Sequence, residues 1–227
     1  MKHFAVVLSA SALVTAGVVR RDYGYQFSSA LAIGPVADNN FIREAVTTLE
    51  LPELNSPQTG NLALWPGMGT SGGHLVQGLA ISVLDGSAGC PKVKGKWCIV
   101  ASTLESDQQM GKAVSADPGS SVTFSYKYND GTFKYDQDIL VDGKVVSSLS
   151  TDSGKAQGWG TAVECQKAAC GKAPAHKYVD TKLVLDKADP GFGDTKGTTG
   201  ATGELVTADG GKTWTIDTIS IESHTYT

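Results

Sequence analysis

Side chains that alternate between apolar and polar, interrupted by Asp-Gly pairs, leave this chain few folds to choose from. Val122, Phe124, Tyr126 and Tyr128 fall on one face of an extended segment, with Thr123, Ser125 and Lys127 on the other. Asn129-Asp130-Gly131 then turns the chain, after which Phe133, Tyr135, Gln137, Ile139 and Val141 again share a face. Asp142-Gly143 returns it into Val145-Val146-Ser147-Ser148-Leu149, completing an antiparallel meander. Asp-Gly recurs at Asp85-Gly86 and Asp209-Gly210, where glycine supplies the positive φ of a tight hairpin. Further strands are expected over 75–84, 97–103, 160–166, 178–185, 202–207 and 213–222. Only residues 40–51 show apolar spacing near 3.6, and Thr47-Thr48 favours a strand there as much as a helix. Some ten strands without alternating helices predict an all-β fold, two antiparallel sheets packed as a β-sandwich of the jelly-roll type. The Gly/Thr-rich stretch 190–202 is expected as an exposed loop. No repeat or linker divides the chain, so residues 22–227 are expected to form a single domain.

The first residues point outside the cell. Lys2 and His3 precede an apolar run from Phe4 to Val19, the pattern of a secretory signal peptide and shorter than a membrane span. Arg20-Arg21 follows as a dibasic processing site or as the flank of the signal, so residues 1–21 are excluded from the fold. Of 19 basic residues this removes Lys2, Arg20 and Arg21, leaving 16 against 23 acidic ones and a charge of about −7. Nucleic acid and anionic membrane are recognised through clustered Lys and Arg, so neither is expected as a partner. Cys90, Cys98, Cys165 and Cys170 suit an oxidising compartment. Their spacing suggests the bridges Cys90–Cys98 and Cys165–Cys170, although four cysteines allow three pairings. No metal cluster, phosphate loop or nucleophile motif stands out, and no cofactor is expected. A secreted monomer acting on an extracellular polymer is the expected setting.

Two segments hold candidate chemistry. Gln77 lies in period two with Leu75, Leu79 and Ile81, an amide among apolar side chains. It either braces a neighbouring strand or orients a ligand or water. Glu164 shares its face with Ala162 and Gly160, which leaves space above the sheet for a bound molecule. In a partly desolvated cleft such a carboxyl serves as acid or base; on an exposed edge it is an ordinary glutamate. Trp65, Trp97 and Trp159 suit a substrate groove through their flat indole faces, or simply the core. Trp65 and Trp159, each beside Gly or Pro, are expected in loops that lead into strands. Asp136 and Asp138 share a strand face, the spacing of some glucanase acid pairs, but solvent exposure is the expected reading.

Trp65-Pro66-Gly67-Met68 and Leu75-Val76-Gln77-Gly78 resemble the Trp-x-Gly-hydrophobic and hydrophobic-hydrophobic-Gln-x-Gly segments of the fungal glutamic peptidases, the eqolisins. A meander after Pro118-Gly119 and a later glutamate, Glu164 in Ala162-Val163-Glu164, fall in the same order. The resemblance implies a secreted sandwich of the concanavalin A-like lectin/glucanase type. It also implies a glutamine–glutamate dyad, with Gln77 stabilising an oxyanion and Glu164 activating water. Peptide is then the first substrate, polysaccharide the second, and a carbohydrate-binding module without catalysis the rival. The chain departs from the family at Lys96-Trp97-Cys98-Ile99-Val100, where an acidic-aromatic strand is expected, and in the context of its glutamate.

Overall fold

The computed structural model describes residues 25–83, 86, 89–166 and 169–226. Residues 1–21, expected as a leader, lie outside the described residues, as does Asp85 of one expected turn. The chain runs through β1 (Tyr25–Ile33), β2 (Ile42–Glu50), β3 (Asn61–Thr70), β4 (Leu75–Ser82), β5 (Trp97–Leu104) and β6 (Gln108–Met110). It continues through β7 (Val114–Ala116), β8 (Ser121–Asn129), β9 (Lys134–Val141), β10 (Lys144–Thr151), β11 (Ala156–Gln166) and β12 (Gly171–Ala173). The last strands are β13 (His176–Leu185), β14 (Gly197–Thr199), β15 (Ala201–Thr202), β16 (Thr213–Ile221) and β17 (His224–Tyr226).

Pairing sorts these strands into two antiparallel layers. Sheet I runs β14-β1-β11-β3-β4-β5, with β6 and β7 side by side on the outer edge of β5. Sheet II runs β10-β9-β8-β2-β13-β16-β15. One backbone bridge, Ala156 to Ile42, joins them at a corner, while β12 and β17 form a separate short pair. The expected β-sandwich is therefore present.

The alternation places the core between the layers. Phe124, Tyr126, Tyr135 and Ile139 of sheet II are buried against Leu64, Met68, Val76, Trp97 and Trp159 of sheet I. The layers approach closely where a side chain is missing: a Cβ on Gly78 would lie 2.2 Å from Cδ1 of Phe124 and 2.8 Å from Cδ1 of Ile139. Polar crossings add direction. The Tyr126 hydroxyl donates to the Pro66 carbonyl (2.8 Å) and the Trp97 indole to that of Pro52 (2.8 Å).

Several local expectations change. Residues 40–51 are strand: β-branched Thr47 points inward and bonds Thr181 side chain to side chain at 2.7 Å. The stretch 190–202 is no plain loop, because Phe192 is fully buried beside Trp214 and β14 pairs with β1. Of the strand expected over 202–207, only β15 and an isolated Val206–Thr215 bridge form. Trp65 and Trp159 lie within β3 and β11, not in loops; Pro66 sits mid-strand with its pairing to Thr161 intact. Both expected disulfides are present, Cys90–Cys98 and Cys165–Cys170, with Cα separations of 5.7 and 5.8 Å.

Two measurements test this packing. Gly78→Ala should lower unfolding free energy by about 1–3 kcal/mol by overpacking the interface, seen as a lower denaturant midpoint; an unchanged midpoint would contradict the close approach. His176 is buried, and burial lowers its pKa to about 4. Its Nδ1–H faces the Pro174 carbonyl at 3.0 Å, and Nε2 has no partner to receive a second proton. Between pH 4 and 6.5 the unfolded chain therefore binds more protons than the folded one. The contribution is complete above about pH 6.5 and decays as pH falls to 4, by up to about 3 kcal/mol. Unfolding curves of wild type and His176→Gln should diverge in slope across that window; parallel curves would contradict it.

Candidate functional site

Pairing register decides which side chains meet on the outer face of sheet I. Gly67 is paired with Gln77 on one side and with Gly160 on the other, and Gln77 is paired with Ser102. Two residues along the strands comes the row Ala162, Trp65, Leu79 and Val100, and two further the row Glu164, Ala63, Ile81 and Cys98. The apolar members of these rows form a cluster distinct from the core between the sheets, with Phe27, Leu75, Met110 and Ala113 around it. Cys90, bridged to Cys98, belongs to this cluster.

Gln77 and Glu164 thus share a face but not a position. They are two strands and four residues apart, roughly 16 Å at the backbone given strand spacings near 4.8 Å and a rise near 3.3 Å. The Trp65 row stands between them. A single water bridges groups only through bonds of about 2.8 Å each, so the two are not brought together. Across Gly67 from Gln77 stands Gly160, where even a Cβ would lie 2.7 Å from the Leu31 carbonyl oxygen.

Glu164 is engaged elsewhere. Its carboxylate accepts from the Trp65 indole (3.0 Å) and from the Gln166 amide (2.9 Å). Tyr226 lies close by, and its hydroxyl donates to the Val163 carbonyl (3.1 Å) while accepting from Ser28 (2.7 Å). Ser28 lies in the segment where the β1 register shifts, between Phe27 and Ala30. Burial, with the Glu164 charge adding to it, pushes the Tyr226 phenol up to about 12. Trp65, Glu164 and Gln166 hold the end of this face together through hydrogen bonds.

Gln77 is different. It is 5 % exposed, yet its side-chain amide makes no hydrogen bond to any described residue. Around it are Leu75, Leu79 and Met110, partly exposed Leu104 at the strand end, and the glycine floor of Gly67 and Gly160. Ser102 beside it accepts from the Gln108 amide (2.7 Å). At the adjacent turn, His74 Nδ1 stands 4.0 Å from the Glu105 carboxylate.

The tryptophans divide. Trp65 belongs to this outer cluster at 3 % exposure. Trp97 and Trp159 do not line it, contrary to expectation: both are sealed in the core between the sheets. Parity is the reason, since Trp159 is five residues from Glu164 and Trp97 is adjacent to Cys98, so each points through the opposite side of its strand. Asp136 and Asp138 lie far off on sheet II, bonded to Ser150 and Ser148. No group of three His, Cys, Asp or Glu side chains among the described residues is arranged to hold a metal ion.

No protein-family model matches the sequence, and no curated protein matches it. Solved structures do resemble it in fold. Scytalido-glutamic peptidase with a peptide based transition state analog aligns over 86% of this chain and 98% of its own, with TM-score 0.53 and 13% identity. The same peptidase with a transition state analog inhibitor gives 84%, 97%, 0.52 and 12%. SCP-B, an eqolisin in complex with the tripeptide Ala-Ile-His, covers 86% and 98% at TM-score 0.41 and 12% identity. At these identities the likeness is one of architecture: the chain has the two-sheet β-sandwich on which glutamic peptidases are built.

Proposed function

We propose that this chain is an extracellular protein that binds an extended polypeptide on the outer face of sheet I, and that it does not cleave it through Gln77 and Glu164. The observation that carries this reading is the Gln77 amide, which bonds to no described side chain and stands in an apolar setting on the outer face. Such an amide offers donors and an acceptor that match a peptide group, while Leu75, Leu104 and Met110 suit apolar side chains of an extended segment. Glycines at 67 and 160 keep side chains from standing beside it. A polysaccharide is matched less well, because sugar rings stack on accessible aromatic faces and Trp65, Trp97 and Trp159 are all at most 3 % exposed. The leader-like segment 1–21 and the two disulfides support an extracellular setting.

The test is binding and turnover on one preparation, with reduced, alkylated serum albumin and a β-glucan as probes. Albumin should bind and β-glucan should not. Gln77→Ala should weaken albumin binding about tenfold, the equivalent of one well-made buried hydrogen bond, and Glu164→Gln should change it less than about twofold. No new amino termini should appear on prolonged incubation. Cleavage abolished by both substitutions would restore the dyad; binding to β-glucan alone would make the chain a carbohydrate module.

A further inference from the structure

One buried polar side chain in the core has a geometry that packing alone does not call for. Gln137 interrupts the apolar inner face of β9 between Tyr135 and Ile139 and is 1 % exposed. Its amide crosses to sheet I. The NH2 group lies 3.1 Å from the Gln77 carbonyl oxygen and 3.1 Å from that of Ser102, and its oxygen lies 2.7 Å from Thr103 Oγ1. The opposite orientation would set oxygen against two carbonyls, so the amide donates twice and accepts once. Its oxygen takes the Thr103 proton, which makes Thr103 the acceptor from Thr151 (2.9 Å) and Thr151 the acceptor from Ser153 (2.8 Å). A directed chain of buried hydroxyls therefore fixes which way the amide faces.

We propose that Gln137 is a positioning residue for the outer face: by gripping the two carbonyls of the Gln77–Ser102 pair from behind, it sets the local pleat and so the direction of the Gln77 side chain. This rests on reading Gln77 as the ligand-facing group, but the grip itself is independent of any ligand. Neighbouring contacts act alongside it. Ser147 Oγ accepts from the Ala101 backbone N–H (3.0 Å), so sheet II holds β5 at three successive residues, Ala101, Ser102 and Thr103. Loss of the Gln137 donors frees the β4–β5 ladder at the one pair that carries the site.

The test compares Gln137→Leu with Thr47→Val, which removes a buried side-chain bond between β2 and β13 and touches neither carbonyl of the Gln77–Ser102 pair. Both should lower stability. Only Gln137→Leu should move the carbonyl 13C resonances of Gln77 and Ser102 in the ligand-free protein, and speed their amide exchange about tenfold or more. It should also weaken binding of reduced, alkylated serum albumin about tenfold, whereas Thr47→Val should not. Gln137→Glu, whose carboxyl is buried against two carbonyls and so stays protonated at neutral pH, should recover one donor and regain part of the wild-type carbonyl shifts. Should Gln137→Leu fail to fold, slow exchange of the Gln137 side-chain NH2 in the wild type carries the same information; rapid exchange overturns the proposal. Unmoved Gln77 and Ser102 carbonyl shifts in a folded Gln137→Leu would reduce Gln137 to a core packing residue. Shifted carbonyls in a protein that binds no albumin would leave the positioning role standing and remove the proposed function instead.

Discussion

The antiparallel ladder through β11, β3, β4 and β5 governs everything that can be said about chemistry in this molecule. Each backbone pair assigns a row, and each residue's parity assigns a face. A shift of one residue would invert every side chain on a strand. Gly67 is the hinge of that bookkeeping, since it stands between Gln77 and Gly160 and so decides that an amide faces a glycine. The outer cluster around Trp65, the Cys90–Cys98 bridge and the core between the sheets all conform to the same register.

Within that frame the two polar landmarks of the outer face have opposite characters. Glu164 is engaged with an indole N–H and a neighbouring amide, and its charge is felt by Tyr226. Gln77 has its backbone held by the ladder and by Gln137, and its side chain bonds to no described side chain. A fold shared with glutamic peptidases does not by itself confer their reaction; chemistry depends on which atoms a site brings within reach. Here the glutamine stands in a row with Gly67, Gly160 and Ser102, with no carboxylate of the described strands in that row.

Much of the architecture was legible in the sequence because it rests on local chemistry. The alternation from Val122 to Val141 with its Asp-Gly turns specified a meander, and cysteine spacing specified both bridges. Gln77 was legible as an amide among Leu75, Leu79 and Ile81. Residues 40–51 were ambiguous because Phe41, Ala45 and Leu49 satisfy both periods, and only pairing with β8 and β13 resolves them. Trp159 could have been placed by parity, five residues from Glu164, had its glycine neighbours not suggested a loop. The row in which Glu164 stands was not legible, because register between strands distant in sequence leaves no mark in either one. Gln137 did leave a mark, an amide within an apolar stripe, and its meaning emerges only with the opposing sheet in place.

The most direct test of the account is the register at Gly67, read in solution from cross-strand nuclear Overhauser contacts. Contacts from Gly67 to Gln77 on β4 and to Gly160 on β11 are expected, with Glu164 contacting Ala63 instead. Contacts that set Glu164 in the same row as Gln77 would contradict it and return an amide–carboxylate pair to the centre of this face.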